Sequence, residues 1–148
     1  GNVNGEKNRA IVEKYMTTGM VTESLSRAMD RYKPLAKEGN AKAQYYLGIL
    51  YSDDNGVTTD YKKSMNWLKW SAAQGNNRAQ SKIGEAYYYG KGVAKDFVQA
   101  YKWLIIAYRN FDDESRELRE LIEKQITDKQ IIEAKQLARE WMKKHPKN

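Results

Sequence analysis

Small and apolar residues recur through residues 41 to 110 at the three- and four-residue spacing of amphipathic helices. The runs come in pairs, and each pair is split by a short glycine segment, NGV in the first and GKGV in the second. Glycine readily takes the positive φ that ends a helix in a left-handed cap and lets the chain reverse. Asp60 and Asp96 follow these segments as N-cap residues for the next helix. The pattern therefore predicts two helix hairpins.

The two hairpins are copies of each other, 36 residues apart. The string GNAKAQYYLGILYSDDNGVTTD begins at Gly39, and GNNRAQSKIGEAYYYGKGVAKD begins at Gly75. A fixed period of this length is typical of a stacked unit that cannot bury its apolar face without a neighbour. We expect the positions that the copies share to be structural: Gly48 and Gly84, Tyr51 and Tyr87, Gly56 and Gly92, Trp67 and Trp103.

Gly48 and Gly84 fall inside the first helix of each hairpin, where glycine costs about 1 kcal/mol relative to alanine. A close approach of the neighbouring helix would compensate for this cost. We expect the ring of Trp67 or Trp103 to lie against the glycine.

The sequence predicts one domain that consists of three repeat units and a C-terminal cap. The first unit is degenerate, and its Pro34 is expected to kink or shorten the second helix. The predicted organisation within the single domain 1–148 is a flexible segment 1–9, repeats 10–39, 40–75 and 76–111, and capping helices with a tail 112–148.

Two charged helices are predicted after Phe111. The first runs from about Asp113 to Gln125, and the second opens with the capping box TDKQ at residues 127–130. Residues 143–148 are interpreted as a frayed tail. The positions expected to face inward are Leu118, Leu121, Ile122, Ile131, Ala134, Leu137, Ala138 and Trp141.

The paired strings AQYYLG and AQSKIG, each followed by GV, an aspartate and WL, resemble the Sel-one-like repeat, a relative of the tetratricopeptide repeat. The resemblance is strong over residues 41–110 and weak over residues 10–40. It implies an all-α fold, a right-handed α/α superhelix (solenoid) of helix hairpins from a short bacterial member of the family. It also implies an adaptor or scaffold that binds other proteins and shares no catalytic residue.

Some bacterial members of this family have cysteine-bridged helix pairs and are linked to binding or hydrolysing β-lactam-like compounds. This chain has no cysteine. A β-lactam-related hydrolase or binder therefore stays as the alternative to the interaction module, and no cofactor is expected.

The formal net charge of +7 raises a second alternative, a basic nucleic-acid-binding repeat protein. The excess lies in residues 1–111, with 17 lysines and arginines against 10 acidic residues. Carboxylates are interleaved and no block of five like charges occurs, which disfavours a nucleic-acid partner. The partner expected is another protein or peptide.

Residues for catalysis are scarce. His145 is the single histidine, which excludes an ordinary histidine-based triad or zinc site. The segment GKGVAKD lacks the spacing and the preceding strand of a phosphate loop, so we interpret it as a turn. No catalytic, metal-binding or cofactor-binding residue is predicted.

A partner-binding groove is predicted on the concave face, where the first helices of a solenoid lie side by side. An aromatic and aliphatic stripe beside lysines is typical of a protein-binding surface. The alternatives are that these tyrosines pack against the first unit or the cap, and that Lys62, Lys63, Lys69 and Lys102 on the convex helices bind an acidic partner. The residues predicted to bind are Tyr45, Ile49, Ser81, Glu85 and Tyr88.

The chain starts at Gly1 with the polar string GNVNGEKN, which is typical of a chain cut after a tag or a removed export signal. We expect an exported bacterial protein, periplasmic or secreted, with a cytoplasmic location as the alternative.

Overall fold

Every regular element that the computed structural model describes is an α-helix, so the all-α prediction is confirmed. The structure describes residues 23–52, 59–108 and 114–146. Each helix from α1 to α5 packs against the next one along the chain, and α7 packs along α5. The helices are α1 (Glu23–Lys37), α2 (Ala41–Leu50), α3 (Tyr61–Ala73), α4 (Asn77–Tyr89), α5 (Phe97–Tyr108), α6 (Glu114–Glu123) and α7 (Asp128–Lys144).

Hairpins α2–α3 and α4–α5 begin their helices with the same side-chain caps. Asp60 and Asp96 each accept a hydrogen bond at 3.0 Å from the backbone N–H three residues on, which confirms them as N-cap residues. Asn40 and Asn76 cap α2 and α4 in the same way at 2.9 Å. In each of the four helices, a short polar side chain therefore accepts from one first-turn amide.

Glycines reverse the chain where the helices end. Gly90 caps α4 in the left-handed conformation at φ 74°, and Gly92 follows at φ 77°. Gly39 and Gly75 stand two residues beyond α1 and α3 with φ of 104° and 97°. The predicted turn at Gly56 lies outside the described residues.

The close approach expected at Gly48 and Gly84 is present. A β-carbon on either residue would come within 3.3 Å of a backbone carbonyl oxygen of the second helix. The side chain over the glycine differs from the expectation, since Leu68 and Leu104 lie there instead of the preceding tryptophans.

The core lies between the hairpins and contains two buried glutamines at equivalent positions. Gln44 and Gln80 are fully buried, and each donates through Nε2 to a carbonyl near the end of the preceding second helix. The acceptors are Ala36 at 3.0 Å and Ala72 at 3.1 Å. These bonds tie each hairpin to the one before it.

The C-terminal helices cover the last hairpin. Thr127 and Gln130 form the predicted capping box at the start of α7. Ile122 is buried, but Leu121 on the same helix is exposed, so the prediction that Leu121 faces inward is wrong. The helix α7 continues through Lys144, so residues 143 and 144 are helical and the predicted tail began too early.

Pro34 lies within α1 without shortening it. The helix ends at Lys37, two residues before Gly39, just as α3 ends two residues before Gly75. Within the described part of the chain, no helix combines the length and the apolar character needed to cross a bilayer.

Candidate partner-binding surfaces

Two of the five residues predicted to bind a partner are buried inside the protein. Ile49 is 5% exposed and Ser81 is 3% exposed, because both lie where neighbouring helices pack together. Ser81 offers no surface to a partner, and Ile49 offers a small exposed part that lines the groove described below.

Tyr45 and Tyr88 are partly buried and face different parts of the core. Tyr45 packs against the apolar clusters of both neighbouring hairpins, with its ring 5.3 Å from that of Tyr46. Tyr88 stacks on Phe97 at 5.3 Å, and its hydroxyl accepts a hydrogen bond from Gln125 Nε2 at 3.0 Å. The two tyrosines of the predicted stripe therefore pack against different clusters of the core.

A small groove does lie between the two repeats, lined by α2, α3, α4 and the turn after α4. Its volume is about 90 Å³. Lys82 and Glu85 form an ion pair at 3.2 Å on one side. We call this surface the inter-repeat groove; its described lining is Ile49, Ser52, Tyr61, Ser64, Met65, Leu68, Lys82, Glu85, Ala86, Tyr89 and Lys91.

Tyr61 and Tyr89 are aromatic residues of the inter-repeat groove that the prediction did not choose, and Tyr89 is the more exposed of the two. Tyr89 is 58% exposed, and the amine of Lys91 lies 5.6 Å from its ring centre and 5.8 Å from that of Tyr61. The sequence did contain a sign of this position. Tyr89 lies four residues after Glu85, and residues four apart share a helix face just as residues three apart do. The prediction chose Tyr88 instead.

A second and larger groove lies between α1 and α3. Its volume is about 460 Å³. The rings of Trp67 and Trp70 stack with centres 5.7 Å apart and planes 7° apart, and Lys63 lies 5.5 Å from the ring centre of Tyr51. We call this surface the tryptophan groove; its described lining is Lys33, Lys37, Tyr51, Lys63, Asn66, Trp67 and Trp70.

The equivalent tryptophan of the next hairpin is covered. Trp141 of α7 meets Trp103 edge-on, with ring centres 5.4 Å apart, and Trp103 is 8% exposed. Lys102 lies 4.9 Å from the same ring centre, and burial lowers its pKa, with a further contribution from the positive charge of Lys69. Of the four convex lysines named from the sequence, Lys62, Lys63 and Lys69 are exposed and Lys102 is partly buried.

One buried tyrosine has a perturbed acidity. The hydroxyl of Tyr101 donates a hydrogen bond to Glu123 Oε1 across α5 and α6. Burial, followed by the hydrogen bond and the charge of Glu123, raises the pKa of Tyr101 to about 12, and the charge of Arg119 opposes the shift. Among the residues that the structure describes, no three histidine or carboxylate side chains come together to hold a metal ion.

Comparison with known proteins identifies the repeated hairpins. Residues 41–76 and 77–110 match the family model of the Sel1 repeat. A comparison with curated proteins gave no match.

Two solved structures have a similar fold. One is a protective antigen present in uropathogenic Escherichia coli strains, which displays an SLR fold; it superposes with a TM-score of 0.82 at 32% identity, over 93% of this chain and 30% of the antigen. The other is a Sel1 repeat protein from Oxalobacter formigenes, with a TM-score of 0.62 at 24% identity, over 92% of this chain and 60% of that protein.

The chain thus spans less than a third of the antigen and little over half of the second protein. Sel1 repeats are generally protein–protein interaction modules, and proteins built from them are typically non-catalytic scaffolds. The neighbours confirm the α-solenoid fold and are bacterial. Hairpins α2–α3 and α4–α5 are therefore two Sel1 repeats, and the predicted resemblance to the Sel-one-like repeat family is confirmed.

Proposed function

We propose that this chain is a non-enzymatic module that binds a partner protein or peptide in the inter-repeat groove. The repeats supply the general expectation of a protein partner. The observation that carries the proposal for this groove is Tyr89, a large aromatic side chain that is 58% exposed beside charged and apolar groups. Tyrosine is enriched among the residues that anchor protein interfaces.

The chemistry of the inter-repeat groove suits a protein side chain. Ala86 and Ile49 give it apolar walls, while the Lys82–Glu85 ion pair and Lys91 provide charges at its edge. An apolar centre with a polar rim is the usual arrangement of an interface. Glu85 and the exposed part of Ile49 are thus the parts of the original prediction that stay in the proposed site together with Tyr89.

The size of the groove also favours a macromolecular partner over a small substrate. Pockets that hold drug-sized ligands usually measure about 300–1,000 Å³, whereas this groove measures about 90 Å³. It admits part of one side chain of a larger partner and is too small to enclose a β-lactam. This comparison disfavours the inter-repeat groove as the site of a small substrate.

Photo-crosslinking tests the site. A photoreactive amino acid placed at position 89 is expected to capture a partner in cells that express the full protein, and the same residue at Ile132, an exposed apolar position on α7, serves as the control. The captured protein is then purified and titrated by calorimetry. We expect Tyr89→Ala to weaken its binding by about 2 kcal/mol or more, as the loss of an aromatic anchor does, and Ile132→Ala to leave it unchanged.

Two results would contradict the proposal. Equal affinity of the wild type and a folded Tyr89→Ala variant would remove the inter-repeat groove from the interface. Saturable turnover of nitrocefin by the purified protein would overturn the non-enzymatic assignment and favour the β-lactam-related alternative.

A further inference from the structure

The tryptophan groove exposes a large aromatic surface that the next hairpin buries. Trp70 is 44% exposed, although its side chain is stacked on Trp67. The residue 36 positions later is Ile106, which is fully buried. One of two equivalent surfaces is therefore closed within the protein, and the other is open.

The closed surface shows what kind of group fits there. Trp103 occupies the position equivalent to Trp67, and α7 covers it with the ring of Trp141 set edge-on. Edge-to-face and offset aromatic pairs at such distances are favourable beyond the area that they bury. An aromatic side chain from a partner segment could pack in the same way against the stacked pair Trp67 and Trp70.

The charge of the tryptophan groove indicates that its partner is acidic. Three lysines, Lys33, Lys37 and Lys63, surround the tryptophans, and none of the described lining residues is acidic. Like charges gathered within a Debye length of about 8 Å repel one another and attract an opposite charge. A segment rich in aspartate and glutamate complements this surface.

We propose that the tryptophan groove docks an acidic segment of a partner protein, which inserts an aromatic or branched aliphatic side chain against Trp70. The groove shares no lining residue with the inter-repeat groove. The inference therefore goes beyond the proposed function, and either site can fail a test while the other passes.

A peptide suits this surface better than a nucleic acid. Single-stranded nucleic acids bind along extended basic grooves, in which aromatic side chains spaced along the strand stack on successive bases. Here the exposed ring of Trp70 stacks on the partly buried ring of Trp67 at one point of one helix. Their arrangement favours a single anchoring side chain between the lysines.

A random library of 12-residue peptides displayed on phage and selected on the purified full chain tests the proposal. The expected result is enrichment of peptides in which aspartates and glutamates flank an aromatic or branched aliphatic residue. The affinity of an enriched peptide is then measured by fluorescence polarisation. We expect Trp70→Ala to weaken it by about tenfold or more, and the triple variant Lys33→Glu, Lys37→Glu, Lys63→Glu to weaken it at least as much.

The matched control carries three charge reversals at exposed lysines far along the chain from the groove, Lys124→Glu, Lys129→Glu and Lys135→Glu. It has the same net charge, and we expect it to retain binding within about threefold, because distant surface charges act weakly in salt. Circular dichroism establishes that each variant is folded.

Four results would overturn the proposal. These are a selection without acidic enrichment, equal loss in both triple variants, equal binding by an acidic peptide whose apolar residues are replaced by serine, and unchanged binding by folded Trp70→Ala. A fluorescent oligothymidylate of 12 nucleotides that binds more tightly than the peptide, and that depends on the same three lysines, would assign the groove to nucleic acid instead.

Discussion

The side chain of Leu104 occupies the space that a β-carbon on Gly84 would require. A β-carbon built on Gly84 lies 2.7 Å from Cδ2 and 2.9 Å from Cγ of this leucine. Leu68 stands in the same relation to Gly48, with both atoms at 2.6 Å. Non-bonded carbon atoms prefer separations of about 3.5–4.0 Å, so each repeat places its leucine where only glycine leaves room.

Gly84→Ala is therefore expected to destabilise the protein, although alanine is the better helix former by about 1 kcal/mol. Leu104 is fully buried, and the carbonyl oxygen of Ala100 would lie 3.3 Å from the added methyl group, so neither neighbour moves freely. We expect the free energy of unfolding to fall by about 1–3 kcal/mol, as overpacking of a core does. Denaturation in guanidinium chloride measures it.

The background variant Leu104→Ala provides the control for this prediction. Removing Cγ and Cδ2 takes away the colliding atoms, so Gly84→Ala should cost little or stabilise the protein in that background. The difference between the two backgrounds is the coupling energy of the pair. An unchanged or raised unfolding free energy for Gly84→Ala alone would show that the helices separate at no cost.

Gln80→Met should destabilise the protein through a lost hydrogen bond. The substitution keeps the length of the side chain but removes the donor to the carbonyl of Ala72, in a fully buried site. Leaving a buried acceptor unsatisfied costs about 1–3 kcal/mol. Gln136→Met on the exposed surface of α7 is the control and should change the unfolding free energy by less than about 0.5 kcal/mol. Equal effects of the two variants would argue against the proposed tie between hairpins.

Because of Tyr101, the free energy of unfolding should depend on pH in the alkaline range. The pKa of Tyr101 is 10.0 in its ordinary state and about 12 in the folded protein, where burial and then Glu123 favour the neutral hydroxyl. As pH rises from 10, the unfolded chain releases this proton before the folded chain does. The contribution of Tyr101 to stability is therefore complete below pH 10 and is lost as pH rises towards 12.

Tyr101→Phe removes this ionisation, so the other tyrosines and lysines cancel when the two proteins are compared. We expect the difference in unfolding free energy between them to change by more than about 1 kcal/mol between about pH 9 and about pH 11.5, with the wild type losing relative stability. Urea denaturation at several pH values measures the difference. A constant difference would mean that the hydroxyl titrates alike in the folded and unfolded chains.

The period of 36 residues was enough to predict the helix hairpins, because repeated glycines and caps mark where helices start and stop. Asp60 and Asp96 act as expected for this reason. The partner of each interior glycine was harder to predict. Trp67 and Leu68 are adjacent in the chain, so they lie on neighbouring faces of the helix. Both residues recur in the repeat, and the repeat pattern alone therefore does not show which of them faces the glycine.

The binding surfaces were less predictable, since they depend on how neighbouring helices approach one another. Ile49 and Ser81 occupy one stripe in the sequence, yet adjoining helices cover them. The tryptophan groove takes Lys33 and Lys37 from α1, which belongs to the degenerate first unit. The sequence pointed to lysines on α3 and α5 but carried no sign that α1 would supply the remaining charge.

Tyr88 and Tyr89 allow a matched test of stability against binding. Tyr88 stacks on Phe97 and accepts a hydrogen bond from Gln125, whereas Tyr89 lies mostly in solvent. Tyr88→Ala should lower the unfolding free energy by about 1–3 kcal/mol, because a packed ring and its aromatic pair are lost. Tyr89→Ala should lower it by less than about 1 kcal/mol, because its mostly exposed ring loses an edge-on contact with Tyr88.

The binding data should show the opposite order when both variants are compared well below their melting temperatures. Under those conditions Tyr88→Ala stays folded, and its effect on the partner is small because Tyr88 is not among the described residues lining the inter-repeat groove. Tyr89→Ala keeps most of its stability and loses the exposed anchor beside Lys91 and Glu85. We expect its dissociation constant for the crosslinked partner to rise about thirtyfold, which corresponds to about 2 kcal/mol. A larger binding loss for Tyr88→Ala than for Tyr89→Ala would return the interface to the stripe first predicted from the sequence.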